Sequence, residues 1–287
     1  MPGARVRAYA KLNLTLEVLA RRPDGFHDLR TLFQTVSLAD VLTIEVERSR
    51  NTRVIVESDT DIPGENLVTR AIHSVMELAG SRASVRCSLT KRIPMGAGLG
   101  GGSSDAAAIL RSLPGLLGRK VDVERVREAA SALGSDVPFF LMGGTALGLG
   151  RGTELYPLSD LPRIPVLIVA PGVHVSTAEA YSSLGRTPEY RSGSNVTARV
   201  AGLMAAGSQW MRQCTNDFEQ VVLAQHSEIA TVRRRLAATK AQLSMMTGSG
   251  SAVFGLYGDA AGRDAAALKF PGMRVFRATS LPRRMLR

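Results

Sequence analysis

Between Gly96 and Gly102 five of seven residues are glycine, inside the stretch Pro94-Met95-Gly96-Ala97-Gly98-Leu99-Gly100-Gly101-Gly102-Ser103-Ser104-Asp105. Ala106-Ala107-Ala108-Ile109-Leu110 follows at once and reads as a helix. Glycines at this density let the backbone take positive φ and approach a ligand closely. Any fold for this chain must therefore carry a glycine loop that feeds the first turn of a helix, where unpaired amides and the positive dipole end point outward. That arrangement binds anions, and phosphate is its natural guest. The alternative is a plain turn before a helix, but Ser103, Ser104 and Asp105 already supply cap chemistry, and a turn alone does not call for so many glycines.

Spacing separates the phosphate loops that compete for this stretch. Gly96, Gly98 and Gly101 satisfy G-x-G-x-x-G, yet a dinucleotide fold places that pattern after its first strand, with an acidic residue about 20 positions on. Here the loop lies a third of the way along, and the corresponding region holds Asp122, which reads as a helix N-cap. A Walker A loop ends in Gly-Lys-Ser/Thr, and the chain has no Gly-Lys pair. The His-Arg-Asp and Asp-Phe-Gly triplets of protein kinases are absent too.

Around the loop, strands and helices alternate without repeats. Val6 to Leu19 reads as a strand or two, Val41 to Glu47 and Arg53 to Glu57 as hairpin strands, and Asn66 to Leu78 as a helix. Val85 to Leu89 leads into the loop. A helix ends near Pro114, and another runs from Asp122 to Gly134, where glycine suits the C′ position. Arg151 to Pro165, with three prolines, is the best candidate boundary, and Pro165 to Ala170 reads as a buried strand beyond it. Helices are expected over Glu179 to Ser183, Val196 to Met204, Asp217 to Leu223 and Ser227 to Ala238, with strands near Ala252 to Tyr257 and Met273 to Ala278. Periodicity alone reaches only a mixed α and β class.

Composition excludes several functions. The longest uncharged run, Ala241 to Gly258, is short of the roughly 20 apolar residues of a membrane helix and is broken by polar residues and glycines. Lys11, Asn13 and Glu17 interrupt the N-terminal region where a signal peptide needs an apolar stretch, so a cytoplasmic setting is expected. Cys87 and Cys214 have no ligand spacing and read as two reduced thiols. The net charge of +11 would suit nucleic acid. However, the arginines are dispersed, clustering only at Arg233-Arg234-Arg235 and at Arg283, Arg284 and Arg287. Solvated helix faces explain them better, and the expectation is no nucleic-acid partner and no membrane, with a positive field that draws polyphosphate ligands.

The glycine loop resembles the Pro-x-x-x-Gly-Leu-Gly-Ser-Ser pattern of the GHMP small-molecule kinases, the group containing galactokinase, homoserine kinase, mevalonate kinase and phosphomevalonate kinase, with Gly101 and Gly102 widening it before the serines. Further segments are similar in order and spacing. They are Ala10 to Leu14, Asp24 to Leu29 with Thr31 to Gln34, Gly134 to Phe140, Asn216 to Glu219 and Thr247 to Ser251. The resemblance implies an α+β, two-domain architecture, with an N-terminal ATP-binding domain over 1–160 and a C-terminal domain over 161–287, nucleotide and acceptor meeting in a cleft between them. It implies ATP and Mg²⁺ as cofactors and a small-molecule alcohol as acceptor. The form PMGAGLGGGSSDAAA is similar to the branch that phosphorylates the 2-hydroxyl of a cytidine diphosphate-linked methylerythritol, in the non-mevalonate route to isoprenoid precursors. A homoserine- or mevalonate-type kinase and a non-catalytic nucleotide-binding module remain as alternatives.

Phosphoryl transfer to an alcohol needs a base near the hydroxyl, a cation to assist it and a cradle for the phosphates. Asp136, after Gly134 and before Val137-Pro138, is the candidate base, and a helix N-cap is its other reading. Lys11, set between Ala10 and Leu12, is the candidate cation; an edge-strand lysine turned to solvent is the alternative, and an ion pair with Asp136 would suit a charge in so apolar a setting. Pro94 through Asp105 would cradle the nucleotide; no side chain is assigned as a metal ligand. By resemblance, Asn13, Phe26, His27, Phe33, Thr177 and Tyr181 would form the acceptor pocket, with His27 hydrogen-bonding the cytosine ring and Tyr181 stacking on it. Phe26 stands where a tyrosine is more usual, which keeps a ring and loses a hydroxyl. Thr247 to Ser251 resembles a turn lying by the phosphates, and Asn216 to Glu219 reads as helix capping.

Overall fold

The computed structural model describes residues 2–62, 66–185 and 195–286; Arg287 of the C-terminal basic cluster lies outside them. The described residues fall into two compact units, neither a single stretch of chain. One takes Met1–Ala10, Ala39–Ile93 and Gly100–Met142, and the other Lys11–Leu38, Pro94–Leu99 and Gly143–Arg287. Two long paired strands, β1 (Gly3–Arg21) and β2 (His27–Arg48), contribute to both.

In the first unit β2 and β3 (Arg53–Ser58) are separated by β4 (Ala83–Thr90). Residues 41–48 of β2 run antiparallel to β4, whereas β3 runs parallel to it. The β2–β3 hairpin expected from sequence is therefore not formed. The chain crosses from β3 to β4 through α1 (Leu67–Leu78), as parallel neighbours require, and β4 takes the inner place. Asn66 caps α1 by accepting from Val68 N at 2.9 Å, and Val68, Ala71, Ile72, Val75 and Met76 form its buried stripe. That stripe lies on α2 (Gly101–Leu116), whose Ala106, Ala107 and Ala108 are fully buried and small enough for close helix packing. Asp122 caps α3 (Val123–Leu133) through Glu124 N and Arg125 N, as expected. Gly134 then departs from expectation: its φ of 167° is extended backbone, not the left-handed form of a C′ glycine. The apolar helix α4 (Val137–Met142) follows and packs on α2.

In the second unit, residues 29–34 of β2 pair antiparallel with β5 (Thr145–Gly150), which pairs with β6 (Glu154–Pro157). A separate antiparallel sheet contains β7 (Pro165–Ala170), β8 (Leu243–Met246), β9 (Val253–Leu256) and β10 (Arg274–Thr279), in the order β10-β7-β9-β8. Among the described residues this unit also has the helices α5 (Thr177–Leu184), α6 (Val196–Ala205), α7 (Phe218–Gln225), α8 (Ser227–Ala237) and α9 (Ala260–Ala267). Leu167 and Val169 of β7 share a core with Phe218 and Val222 of α7 and with Ile229, Val232 and Leu236 of α8. Burying each such side chain is worth about 1.5–3 kcal/mol, which is what fastens these short helices to the sheet. Among the described residues no helix is long and apolar enough to cross a membrane. Both cysteines are free, and burial pushes each thiol up to about 12, so neither is reactive.

Candidate active site

The glycine loop is built for close approach. Gly96, Gly98 and Gly100 all have positive φ, at 63°, 75° and 72°. A Cβ on Gly98 would run into the carbonyl oxygen of Thr247, and one on Gly96 would stand 2.8 Å from Nδ1 of His174. Ala97 and Leu99 are buried and bonded: the Ala97 carbonyl accepts from Ala252 N, and the Leu99 carbonyl accepts from Lys11 N at 3.0 Å. Pro94 is buried and Met95 exposed. Gly100 is the left-handed cap of α2 and brings no side chain to the first-turn amides. Gly102 is exposed and Ser103 half-buried. Donors at this helix start are thus free of a side-chain cap, the condition an anionic phosphate group fits.

Ser104 and Asp105, next in the same turn, point inward. The Ser104 hydroxyl donates to the carbonyl of Tyr9 at 2.7 Å. Asp105 pairs with Lys91 at 2.8 Å, and the Lys91 ammonium also meets Asp40. Asp40 in turn accepts from the amides of Arg92 and Ile93, which fixes the chain just ahead of the loop. Burial, then Asp40, pushes the Asp105 carboxyl up to about 7 against the pull of Lys91. Burial works against the Lys91 charge as well, but the two carboxylates outweigh it and raise its pKa. The Oδ1 atom of Asp105 is buried with no hydrogen-bond partner.

Asp136 is half-buried, one residue before α4. A Cβ on Gly134 would lie in ordinary contact with Ser103, 3.9 Å from its Oγ, so this segment passes the start of α2. The candidate base therefore sits on a segment alongside the first turn of α2, and both belong to the first unit.

In the second unit β1 presents a polar row, Lys11, Asn13, Thr15 and Glu17, and every member is buried. Such a row persists inside a protein only when its groups are satisfied. Lys11 Nζ donates to Oδ1 of Asn13 at 2.5 Å and lies 5.5 Å from the centre of the Phe33 ring. Nδ2 of Asn13 donates to Thr31 at 2.8 Å, and Thr15 and Thr197 join hydroxyls. Glu17 accepts from the amides of Val196 and Thr197 at the start of α6. The solvent-facing alternative for Lys11 is overturned.

The turn Thr247–Ser251 closes on this row. Thr247 Oγ1 accepts from Asn13 N at 3.1 Å, and a Cβ on Gly248 would lie 3.1 Å from Cα of Gly98 and 3.5 Å from Nζ of Lys11. Ser249 meets the Thr177 hydroxyl at 2.9 Å. Nearby, the rings of His27 and Tyr181 stack with centroids 4.6 Å apart, and Tyr181 stands edge-on to Phe218. Burial, followed by the charge of Arg21, lowers the pKa of His27, so its ring is neutral at pH 7. Phe26 is 47% exposed, with the Arg151 guanidinium lying 3.5 Å over its ring.

Several participants carried no usable signal. His174 and Arg151 are single polar residues in connecting segments, and Lys91 and Asp40 meet across 51 positions; Asn216 reads as a helix cap, but its reach to the Thr247–Ser251 turn about 30 positions away does not show in that reading. Only the pairing of Asp105 with a cation could have been suspected, since a carboxylate in an alanine-rich buried helix needs one.

Comparison with known proteins gives the class first. The GHMP kinases N terminal domain matches residues 66–144, and a homoserine kinase structure from Cytophaga hutchinsonii shares the fold, with a TM-score of 0.74 at 18% identity over 98% of this chain and 95% of that one. The fold is the α+β architecture of the GHMP kinases, and the chain is a small-molecule kinase. A 4-diphosphocytidyl-2-C-methyl-D-erythritol kinase of Solibacter usitatus is 48% identical over 262 residues, 89% of this chain and 82% of that protein. The crystal structure of a 4-(cytidine 5'-diphospho)-2C-methyl-D-erythritol kinase superposes with a TM-score of 0.81 at 37% identity, covering 96% of this chain and 99% of the other. The chain belongs to the 4-diphosphocytidyl-2-C-methyl-D-erythritol kinase family.

Proposed function

We propose that this kinase transfers the γ-phosphoryl group of ATP to the 2-hydroxyl of 4-diphosphocytidyl-2-C-methyl-D-erythritol, a cytoplasmic step toward isoprenoid precursors. The observation that carries the reading is the 48% identity to the Solibacter relative across nearly nine-tenths of the chain. The amides at the start of α2 take the phosphate charge. Asp136 accepts the proton as the hydroxyl attacks, and the Lys11 ammonium, oriented by Asn13, stabilises the negative charge growing on that oxygen. Mg²⁺ arriving with the nucleotide would neutralise charge on its terminal phosphates. Among the described residues no cluster of three or more His, Cys, Asp or Glu could hold an ion by itself.

The flat, neutral His27 and the Tyr181 ring suit the cytosine of the acceptor, through a hydrogen bond and stacking respectively. Asn13, Phe33, Thr177 and Phe26 would complete the pocket. Purified protein with Mg-ATP, offered this acceptor, homoserine and mevalonate in turn, should release ADP with the first alone. Turnover of either other alcohol at a comparable kcat/KM would move the chain to another GHMP activity, and no turnover with any would leave a nucleotide-binding module.

A further inference from the structure

The four residues Asn216-Asp217-Phe218-Glu219 read as a helix start, and the structure gives them more work than that. Oδ1 of Asn216 does accept from Phe218 N at 3.0 Å, as a cap would. Its Nδ2 turns the other way and donates to two carbonyls at once, those of Met246 at 2.9 Å and Gly248 at 2.8 Å. Three hydrogen bonds on one buried amide use nearly its whole capacity. Glu219, one turn further on, accepts from Met246 N at 2.7 Å and pairs with Arg233 at 2.9 Å. Asp217 accepts from Val18 N, and its own amide donates to the Leu16 carbonyl. The segment therefore grips Met246–Gly248 on one side and β1, the strand that carries Lys11, on the other.

What is gripped matters because Gly248 has so little room. It lies against Cα of Gly98 and within reach of Nζ of Lys11, and Gly98 is itself pressed against the Thr247 carbonyl. The turn closes the β8–β9 hairpin, with Met246 opposite Val253 and Thr247 N donating to the Ala252 carbonyl at 3.0 Å, but that register ends there and Gly248 lies beyond it, where its carbonyl is taken by Asn216. We propose that Asn216 is a positioning residue for phosphoryl transfer: by holding the carbonyls of Met246 and Gly248 it sets the Thr247–Ser251 turn against Gly98 and Lys11. It touches no reacting atom. The inference rests on the reading of the glycine loop as the nucleotide site, and the test is arranged to separate the two.

Asn216→Ala removes all three bonds. Asn216→Asp keeps the shape but replaces the donor by a charged oxygen facing two carbonyl oxygens. A non-hydrolysable ATP analogue is titrated against each variant by calorimetry, with kcat and both KM values measured alongside. Val222→Ala, buried on the same helix, serves as a control of lowered melting temperature that keeps all three Asn216 hydrogen bonds, and Gly98→Ala reports on the loop itself. The expected result is analogue binding weakened about tenfold in Asn216→Ala and more in Asn216→Asp, with kcat also reduced and Val222→Ala within twofold of wild type. A residue that merely filled space would make the aspartate the milder change. Binding and kcat within twofold of wild type in both Asn216 variants, with Gly98→Ala impaired, would overturn the proposal. So would an equal loss in Val222→Ala. Unimpaired binding in Gly98→Ala would instead remove the nucleotide reading of the loop. Should neither Asn216 variant fold, Asn216→Ser, which keeps one donor, is expected to show a smaller loss of the same kind.

Discussion

The two glycine turns that meet at Gly98 and Gly248 are shaped by different means. In Pro94–Gly102 the conformation is local: three left-handed glycines in alternate positions bend the backbone, and α2 then continues from the last of them. In Thr247–Ser251 the turn closes the β8–β9 hairpin through Thr247 N and the Ala252 carbonyl, and Asn216 and Glu219 add a hold from outside it. A loop of the first kind is legible as a motif, whereas one of the second kind depends on residues a motif does not contain. The practical consequence is that the first turn should be broken by single backbone changes and the second by distant side chains.

The largest effects should come from neither turn, which sharpens the contrast by showing what the turns do not do. Asp136→Asn and Lys11→Ala each remove a proposed participant in the chemical step while leaving the loops in place. Steady-state kinetics should show kcat lower by about 10²–10⁴-fold, the range for loss of a general base, with affinity for the ATP analogue within a few-fold. Near-normal turnover of either variant would withdraw its assigned role.

Gly98→Ala comes next, because it strikes both turns at once. The left-handed backbone at φ 75° costs an alanine about 1–2 kcal/mol, and its methyl group overlaps the Thr247 carbonyl besides. Binding of the analogue should fall by more than tenfold and the melting temperature should drop. Gly102→Ala is the opposite case, since this glycine is helical, exposed and has only Leu67 at 3.7 Å from the position of a new Cβ. Alanine should stabilise the helix by about 0.5–1 kcal/mol, yet its methyl would stand in the first turn of α2, where the proposed phosphate site lies. A higher melting temperature together with several-fold weaker analogue binding would confirm that Gly102 serves the ligand; unchanged binding would assign it to the fold alone.

How much of this was open to a reader of residues alone follows the same division. The glycine loop, the helix from Asn66 to Leu78, the cap at Asp122 and the buried strand at Pro165–Ala170 are local patterns, and they appear where expected. The strand β8 has four residues and α9 is mostly alanine, so neither has enough periodicity to register. The row Lys11, Asn13, Thr15, Glu17 is the instructive case. Alternation with apolar neighbours ordinarily marks a solvent face, but from Ala10 to Ala20 both faces of β1 are buried, because partners at Thr197 and Thr247 come from far along the chain to satisfy it. A pattern of polarity reports which residues share a face, not what covers that face.

A smaller effect is expected where stacking and one hydrogen bond are at stake. His27→Ala should raise the acceptor KM by roughly five- to thirtyfold, the equivalent of about 1–2 kcal/mol for a ring contact and a neutral hydrogen bond, and leave the KM for ATP unchanged. An unaltered acceptor KM would take His27 out of the pocket.

The smallest effect is the one that tests what lies beneath the first turn. Asp105 has its carboxyl raised from 3.8 in the unfolded chain to about 7 by burial, so the folded state prefers it protonated. A raised carboxyl contributes stability that is fully present below about pH 4 and is lost as the pH climbs through 7. Asp105→Asn abolishes that titration and keeps the side-chain volume, while Lys91 still holds Asp40. The difference in melting temperature between the asparagine variant and the wild type should therefore grow in the variant's favour from pH 4 to pH 7 and then level off. A difference independent of pH over that window would mean that the carboxylate is stably ionised by Lys91 and that the glycine loop rests on a fixed ion pair; a growing difference means that the foundation of the loop is itself pH-dependent, which the pinned turn at Thr247–Ser251, held largely by amides and carbonyls, should not be.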